Sequence, residues 1–196
     1  MSAQRIVLAS GSPRRVELLA RITPDFLVVR SSVEERATGT PEEQVVSVAR
    51  AKATDVARRH PGIVIGADTV VVLDGEILGK PRSRDDARSI LARLSGREHV
   101  VLTGLVVLST DDRREAAACE RTVVRFRPIE QDEIEAYVAS GEPDDKAGAY
   151  AIQGRGALFV EGIEGDFWNV MGLPLTRLYL LLRELGVRFV GEGRRD

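Results

Sequence analysis

A chain of 196 residues is long enough for one sizeable α/β domain that folds without staples, and the single Cys119 excludes an internal disulfide. Basic and acidic side chains number 28 and 30 and are interspersed, which excludes the broad positive field of a duplex nucleic-acid binder and confines any anion site to a local cluster. No apolar run approaches the roughly 18 to 20 residues that span a bilayer, and the first residues lack the apolar length of a signal peptide, so a cytoplasmic chain with no membrane attachment is expected.

Residues 5–9 read as a buried strand, followed by Ser12 as N-cap and Pro13 in the first turn of a helix reaching about position 21. A second strand is expected over 26–31. Thr40, Pro41 and Glu43 form a capping box with proline in the first helical position, opening a helix to about position 59 that Pro61 and Gly62 stop. The apolar run 63–73 is a strand pattern, Asp74 and Gly75 are the preferred pair of a type I′ hairpin, and the return strand runs to Leu78. Ser83 and Asp86 cap a helix with Ala87, Ile90, Leu91 and Leu94 on its apolar stripe, ended by Gly96. Two long strands, 100–108 and 117–126, join near Asp111 and Asp112. A helix over 131–140, a polar loop containing glycine, strand pieces at 157–163 and 167–171, and a final helix over 174–185 complete the chain. Helices interleaved with strands and hairpins predict an α/β fold with a mixed sheet, and no boundary divides residues 1–196.

Several residues break these local patterns, and each break points to chemistry. Arg14 and Arg15 stand in the first turn of a helix, where the dipole favours acids. The mismatch costs roughly 0.3 to 1 kcal/mol per exposed charge unless the strand-to-helix loop holds an anion. Asp68 interrupts an apolar strand, where a lone carboxylate is expensive, so metal ligand, general base and lysine partner are the readings open to it. Lys52 shares the sheet-facing stripe of its helix with Val45, Val48, Ala49 and Val56, and its ammonium needs a polar pocket or a route to the helix edge.

Only three of the 28 basic residues are lysines, Lys52, Lys80 and Lys146. An ammonium is a compact point charge and not a planar fork, so a chain otherwise built on arginine has a reason to keep it. Lys80 ends a hairpin strand, but the segment 75–81 has one spacer too few for a Walker loop and Pro81 where a magnesium-binding hydroxyl belongs. Gly148 lets a ligand approach the backbone of the loop that carries Lys146 and leads to Gln153. His60 and His99 lie too far apart for the usual zinc sites, and there is no nucleophile elbow. Chemistry therefore rests on carboxylates, lysines and arginines, and the oxygens of Glu35 and Asp68 suit Mg²⁺ or Mn²⁺ bound together with phosphates.

In chain order the blocks ASGSPRR (9–15), EE (34–35), KA (52–53), GADT (66–69), GKP (79–81), DKAGAY (145–150), QG (153–154) and GLP (172–174) resemble the Maf family of nucleotide pyrophosphatases. The resemblance implies an ITPase-like mixed twisted sheet flanked by helices, two lobes around a central cleft, and frequent homodimers. It also implies metal-dependent hydrolysis of a nucleoside triphosphate to monophosphate and pyrophosphate. By the same resemblance Asp68 is the base and, with Glu35, holds the divalent metal. Arg15, Lys52, Lys80 and Lys146 neutralise the triphosphate, within a substrate-binding set that also includes Ser10, Arg14, Thr69 and Gln153. Arg14, Thr69 and Gln153 are similar to the group acting on dTTP and UTP, whereas the 7-methyl-GTP group carries Trp, Gln and Glu there. A Gln amide offers the donor and acceptor that a pyrimidine imide edge requires. The alternatives are the 7-methyl-GTP activity and a non-catalytic nucleotide-binding regulator of cell division or septum formation. Ala151 in place of a frequent glycine, and 22–24 without one, depart from the family pattern.

Overall fold

The computed structural model describes residues 5–188. Seven strands, β1 (Ile6–Ala9), β2 (Leu27–Val28), β3 (Ile63–Leu73), β4 (Glu76–Leu78), β5 (Glu98–Ser109), β6 (Glu115–Phe126) and β7 (Val160–Glu164), form one sheet in the order β2-β1-β3-β5-β6-β7, with β4 paired to β3. The sheet is mixed: β1 lies parallel to β2 and β3, and the remaining pairs are antiparallel. Six α-helices accompany it, α1 (Pro13–Ala20), α2 (Pro41–Ala57), α3 (Arg84–Leu94), α4 (Gln131–Ala139), α5 (Phe167–Met171) and α6 (Leu175–Glu184). None of the described helices is long and apolar enough to cross a membrane.

Local signals account for most of these elements. Both halves of the capping box of α2 form, with Thr40 accepting from the Glu43 amide and Glu43 from the Thr40 amide. Asp74 and Gly75 take φ of 52° and 81°, as a type I′ turn requires, and the strand pattern 63–73 is occupied end to end by β3. The stripe Ala87, Ile90, Leu91 and Leu94 is buried on α3.

Three expectations need correction. The strand expected over 26–31 shrinks to Leu27–Val28, because Val29 makes a last bond to Leu8 and the chain then leaves the sheet for Asp55. Residues 167–171 form α5 and not a strand: Asp166 caps the helix through the Trp168 amide, and Gly172 ends it in the left-handed region at φ 106°. Of the strand piece 157–163 only the portion from Val160 is strand, since Arg155–Phe159 coils into a 3₁₀ turn. Five-residue apolar alternation is too short to separate these outcomes.

The core divides by sheet face. Leu18 and Leu19 of α1, the stripes of α3 and α4, and Leu178, Leu181 and Leu182 of α6 join Ile63, Ile65, Ala67 and Val71 of β3 in one large cluster. The opposite face is covered by α2, whose contacts form two smaller clusters: Ala49, Ala53 and Val56 with Val64 and Val106, and Val45 with Val72 and Leu102. On β3 the residues between Val64 and Val72 on that face include Gly66 and Asp68. A Cβ on Gly66 would lie 2.1 Å from the Ala49 carbonyl oxygen, and one on Gly104, opposite Asp68 in register, would lie 2.3 Å from the Val45 carbonyl. Helix and sheet backbones thus touch across two glycines.

The register also opens a gap. β1 pairs with β3 over Ile63 to Gly66 and β4 pairs over Val71 to Leu73, so residues 67–70 have a partner on the β5 edge alone. Because β1 runs parallel and β4 antiparallel to β3, their C-terminal ends face one another across this break. The loop 10–12 leaves from one and the segment 79–80 from the other. Diverging strand ends of this kind form ligand crevices in open α/β sheets.

Filling the helix contact should unseat α2. Gly104→Ala is expected to lower stability by about 1 to 3 kcal/mol, read as a reduced urea midpoint at unchanged slope. An unaltered midpoint would mean that α2 does not need this close approach.

Candidate active site

A cavity of about 680 Å³ occupies the gap, and the ten residues expected to bind substrate or metal or to act as base all line it. The acids are Glu35 and Asp68, the cations Arg14, Arg15, Lys52, Lys80 and Lys146, and the neutral polar groups Ser10, Thr69 and Gln153.

At its centre is a lysine with two carboxylates. Lys52, 8% exposed, leaves the sheet-facing stripe of α2 with Nζ 2.6 Å from Glu35 Oε1 and 2.7 Å from Asp68 Oδ1. Of the two readings for Lys52, the pocket is the one observed, and the lysine partner is observed for Asp68. Glu35 arrives on the irregular segment after β2, which Asp55 pins to α2 by accepting from Ser31 Oγ at 3.0 Å and the Ser32 amide at 3.1 Å. Burial acts to raise the Glu35 pKa, but the hydrogen bond and charge of Lys52, with Lys80 and Arg15 beyond, outweigh it and hold the carboxyl below its ordinary range. Two such carboxylates fit a hard divalent cation that completes its shell with phosphate oxygens. Among the described residues there is no cluster of three or more His, Cys, Asp or Glu that would cage a metal without outside ligands.

Arg15 lies on the other face of β3. Its Nε donates to the Gly172 carbonyl at 2.8 Å, its Nη2 to Thr69 Oγ1 at 2.9 Å, and its Nη1 makes a long 3.5 Å contact with Ser10 Oγ. Burial lowers its pKa, Asp68 opposes the shift and Arg14 adds to it. Arg14 is likewise lowered by burial, with Asp145 opposing. Ser12 is the N-cap of α1 by position but makes no side-chain cap, while the buried Ser10 hydroxyl accepts from the Ser12 amide at 3.1 Å. The first turn of α1 is therefore left without the usual side-chain cap, which keeps its amides open to an anion.

Lys80 and Lys146 approach from the far wall. The Gly148 amide donates to the Gly79 carbonyl at 3.1 Å, tying the two lysine loops together, and Lys146 pairs with Asp145. Gly148 sits at φ 69° against Val71, where a side chain would clash. Gln153 is exposed at the rim. Its loop is organised by Glu142, which accepts from the Tyr137 hydroxyl at 2.9 Å, the Arg155 amide at 3.1 Å and the Gly156 amide at 3.2 Å.

The family to which the blocks point is the one that comparison with known proteins finds. Residues 5–185 match the family described as Maf-like protein. The chain belongs to the Maf family. Relatives of this Maf chain include a dTTP/UTP pyrophosphatase of Dictyoglomus thermophilum, 50% identical over 187 residues that cover 93% of this chain and 97% of the relative. Another dTTP/UTP pyrophosphatase, from Thermococcus gammatolerans, is 51% identical over 181 residues, covering 92% and 96%. In three dimensions the Maf chain resembles the Ham1 protein of Staphylococcus aureus, with a TM-score of 0.55 and 15% identity over 93% of this chain and 100% of that one. At that identity the likeness concerns the fold, the ITPase-like mixed sheet.

Sequence reasoning passed over several groups that shape the cavity. Gly104 carried a usable signal, a lone glycine in an apolar strand. Thr103, Thr122 and Asn169, all wholly buried, carried none, because small polar residues in strand and loop patterns look ordinary until their partners are known. Tyr150, inside the DKAGAY block, lines the cavity while its hydroxyl lies 2.9 Å from His99 Nε2.

His99 makes a pH prediction. It is 2% exposed and stacks edge-on against Phe126 and Tyr150, and burial depresses its pKa from 6.5 to about 4. The unfolded chain therefore binds a proton that the folded chain refuses between those values, and stability falls as pH drops through that window. The full effect is roughly 3 kcal/mol. Unfolding curves between pH 7 and 4 should show a shallower decline for His99→Asn than for the parent; equal declines would assign the loss to other groups.

Proposed function

We propose that this Maf protein is a nucleoside triphosphate pyrophosphatase acting on dTTP and UTP, releasing the monophosphate and pyrophosphate. The observation that carries the chemistry is Asp68 held at 2.7 Å by Lys52 within a cavity walled by Arg14, Arg15, Lys80 and Lys146. A carboxylate beside a concentration of positive charge is what hydrolysis of a polyanion needs. The roughly half-identical relatives named dTTP/UTP pyrophosphatase support the substrate, as does the exposed amide of Gln153.

In this reading water attacks the α-phosphorus and Asp68 takes its proton. The bond from the α-phosphorus to the bridging oxygen breaks, and pyrophosphate departs with the electron pair. Lys52 holds Oδ1 of the base and so orients the carboxylate. Arg15, Lys80 and Lys146 meet the negative charge that grows on the phosphate oxygens and leaving group, where fixed charges stabilise the transition state without reorganising. Ser10 shapes the loop at the start of α1, and Gln153 reads the imide edge of the base. Glu35 and Asp68 would hold Mg²⁺ or Mn²⁺, which supplies further charge neutralisation on the phosphates. A homodimer in the cytoplasm is part of the same reading, supported by the Maf resemblance.

The test is pyrophosphate release from dTTP, UTP, CTP, the purine triphosphates and 7-methyl-GTP, with Mg²⁺, Mn²⁺ or EDTA. Cleavage of dTTP and UTP ahead of the others, abolished by EDTA, is expected. Preference for 7-methyl-GTP would refute the substrate assignment. Asp68→Asn should lower turnover by about 10²- to 10⁴-fold, the range of a general base, while nucleotide binding by calorimetry persists. An Asp68→Asn variant that keeps full turnover would remove the base, and a parent chain that binds nucleotide without cleaving it would favour the regulatory alternative.

A further inference from the structure

Beneath the cavity runs a hydrogen-bond chain that none of the roles above uses. Arg15 Nη2 donates to Thr69 Oγ1 at 2.9 Å, Thr69 Oγ1 lies 2.9 Å from Thr103 Oγ1, and Thr103 Oγ1 donates to the Asn169 carbonyl at 3.3 Å. A guanidinium has no acceptor, and each hydroxyl has one proton. With the Thr103 proton directed at the Asn169 carbonyl, Thr103 accepts from Thr69, and a lone pair of Thr69 is left for Arg15. Every donor in the chain is thereby assigned, in one direction.

The far end of the chain is anchored. Thr103 and Asn169 are wholly buried, and Thr103 faces Thr69 across the β3–β5 register. Asn169 donates through Nδ2 to the Val101 carbonyl at 3.0 Å and to Thr122 Oγ1 at 2.9 Å, which fastens α5 to β5 and β6. The residue that ends α5, Gly172, accepts from Arg15 Nε at 2.8 Å. The guanidinium plane is therefore set at two points, directly by Gly172 and indirectly through Thr69 and Thr103. With Nε and one Nη2 proton so engaged, and Nη1 in only a long 3.5 Å contact with Ser10 Oγ, the guanidinium keeps N–H groups for the cavity.

We propose that Thr103 is a positioning residue that orients Arg15 for the phosphate chain through Thr69. Without its hydroxyl, the nearest acceptor for the Thr69 proton is the Gly172 carbonyl at 3.5 Å, already engaged by Arg15. Thr69 then keeps only Arg15 itself and the long Gly172 contact, and the second anchor of Arg15 is no longer tied to β5. Thr69 accordingly acts on the phosphates by way of Arg15, and Gln153 is left to read the base. The inference rests on the pyrophosphatase reading.

Thr103→Val keeps the shape and removes the hydroxyl, and Thr103→Ser keeps the hydroxyl and removes a methyl. An orienting role predicts that kcat/KM for dTTP falls about 10- to 100-fold in Thr103→Val, as for a misplaced catalytic group, and stays within about threefold of the parent in Thr103→Ser. Pyrophosphate binding by calorimetry should follow the same order. A packing role predicts the reverse order, with the serine variant the more impaired. Should the valine variant not fold, Thr103→Cys, with its weak S–H donor, should fall between parent and full loss. Parental kcat/KM and pyrophosphate affinity in Thr103→Val or Thr103→Cys overturns the proposal. A parent chain that binds pyrophosphate but cleaves no nucleoside triphosphate overturns the catalytic reading alone, and the binding series still decides the role of Thr103. A parent that does neither sinks both.

Discussion

The ion pair between Lys52 and Asp68 is the contact on which the site depends. Each side chain is nearly covered, at 10% and 13% exposure, so neither charge is well solvated and each needs the other. Removing Lys52 leaves the Asp68 charge uncompensated, which costs about 3 to 5 kcal/mol when burial is complete, whereas Lys52 without Asp68 keeps Glu35 at 2.6 Å. The pair exists because α2 lies unusually close to the sheet, and it lies close because positions 66 and 104 have no Cβ to hold it off. A core detail, the absence of two methyl groups, therefore sets how near the Lys52 ammonium comes to the Asp68 carboxylate.

The cavity follows from the sheet in the same manner. β3 is long enough to serve two short partners on one edge, β1 and β4, and they approach from opposite directions without meeting. The unpaired stretch between them carries Asp68 and Thr69, whose side chains point to opposite faces by the period of two. One face then gathers α2 with Lys52 and Glu35, and the other gathers α1 with Arg15. A single dipeptide in a strand thus connects the half of the cavity that holds the two carboxylates to the half that holds Arg15.

Electrostatics across the cavity are consistent with a polyanion as occupant. Glu35 is held below its ordinary pKa despite burial because Lys52, Lys80 and Arg15 surround it, while Arg14 and Arg15 are pushed below theirs by desolvation. A carboxyl stabilised by its cations beside two guanidiniums that burial has stripped of water is an arrangement in which a phosphate chain would supply the solvation the arginines lack. The cationic first turn of α1, unfavourable by the helix dipole, is of the same kind: a local cost that makes sense with an anion present.

Much of this was legible in the residues alone. Helix caps, the Asp74–Gly75 turn, the stripe of α3 and the span of β3 are local events, decided by neighbours within a few positions, and the family blocks supplied the charged residues Arg14, Arg15, Glu35, Lys52, Asp68, Lys80 and Lys146 of the cavity wall. What the chain by itself could not disclose is the geometry between distant segments. Whether residues 167–171 coil or extend depends on Asp166 capping one end and on Asn169 reaching the Val101 carbonyl, a partner remote in the chain. The length of β2 depends on Asp55 of α2 capturing Ser31, and the orientation of Arg15 depends on Thr103 and Gly172, which no spacing connects. Amino-acid identity determined which charges are present and which elements carry them. Only the packed fold decided which charge meets which, because that is set by sheet register and by how closely a helix can settle on two glycines.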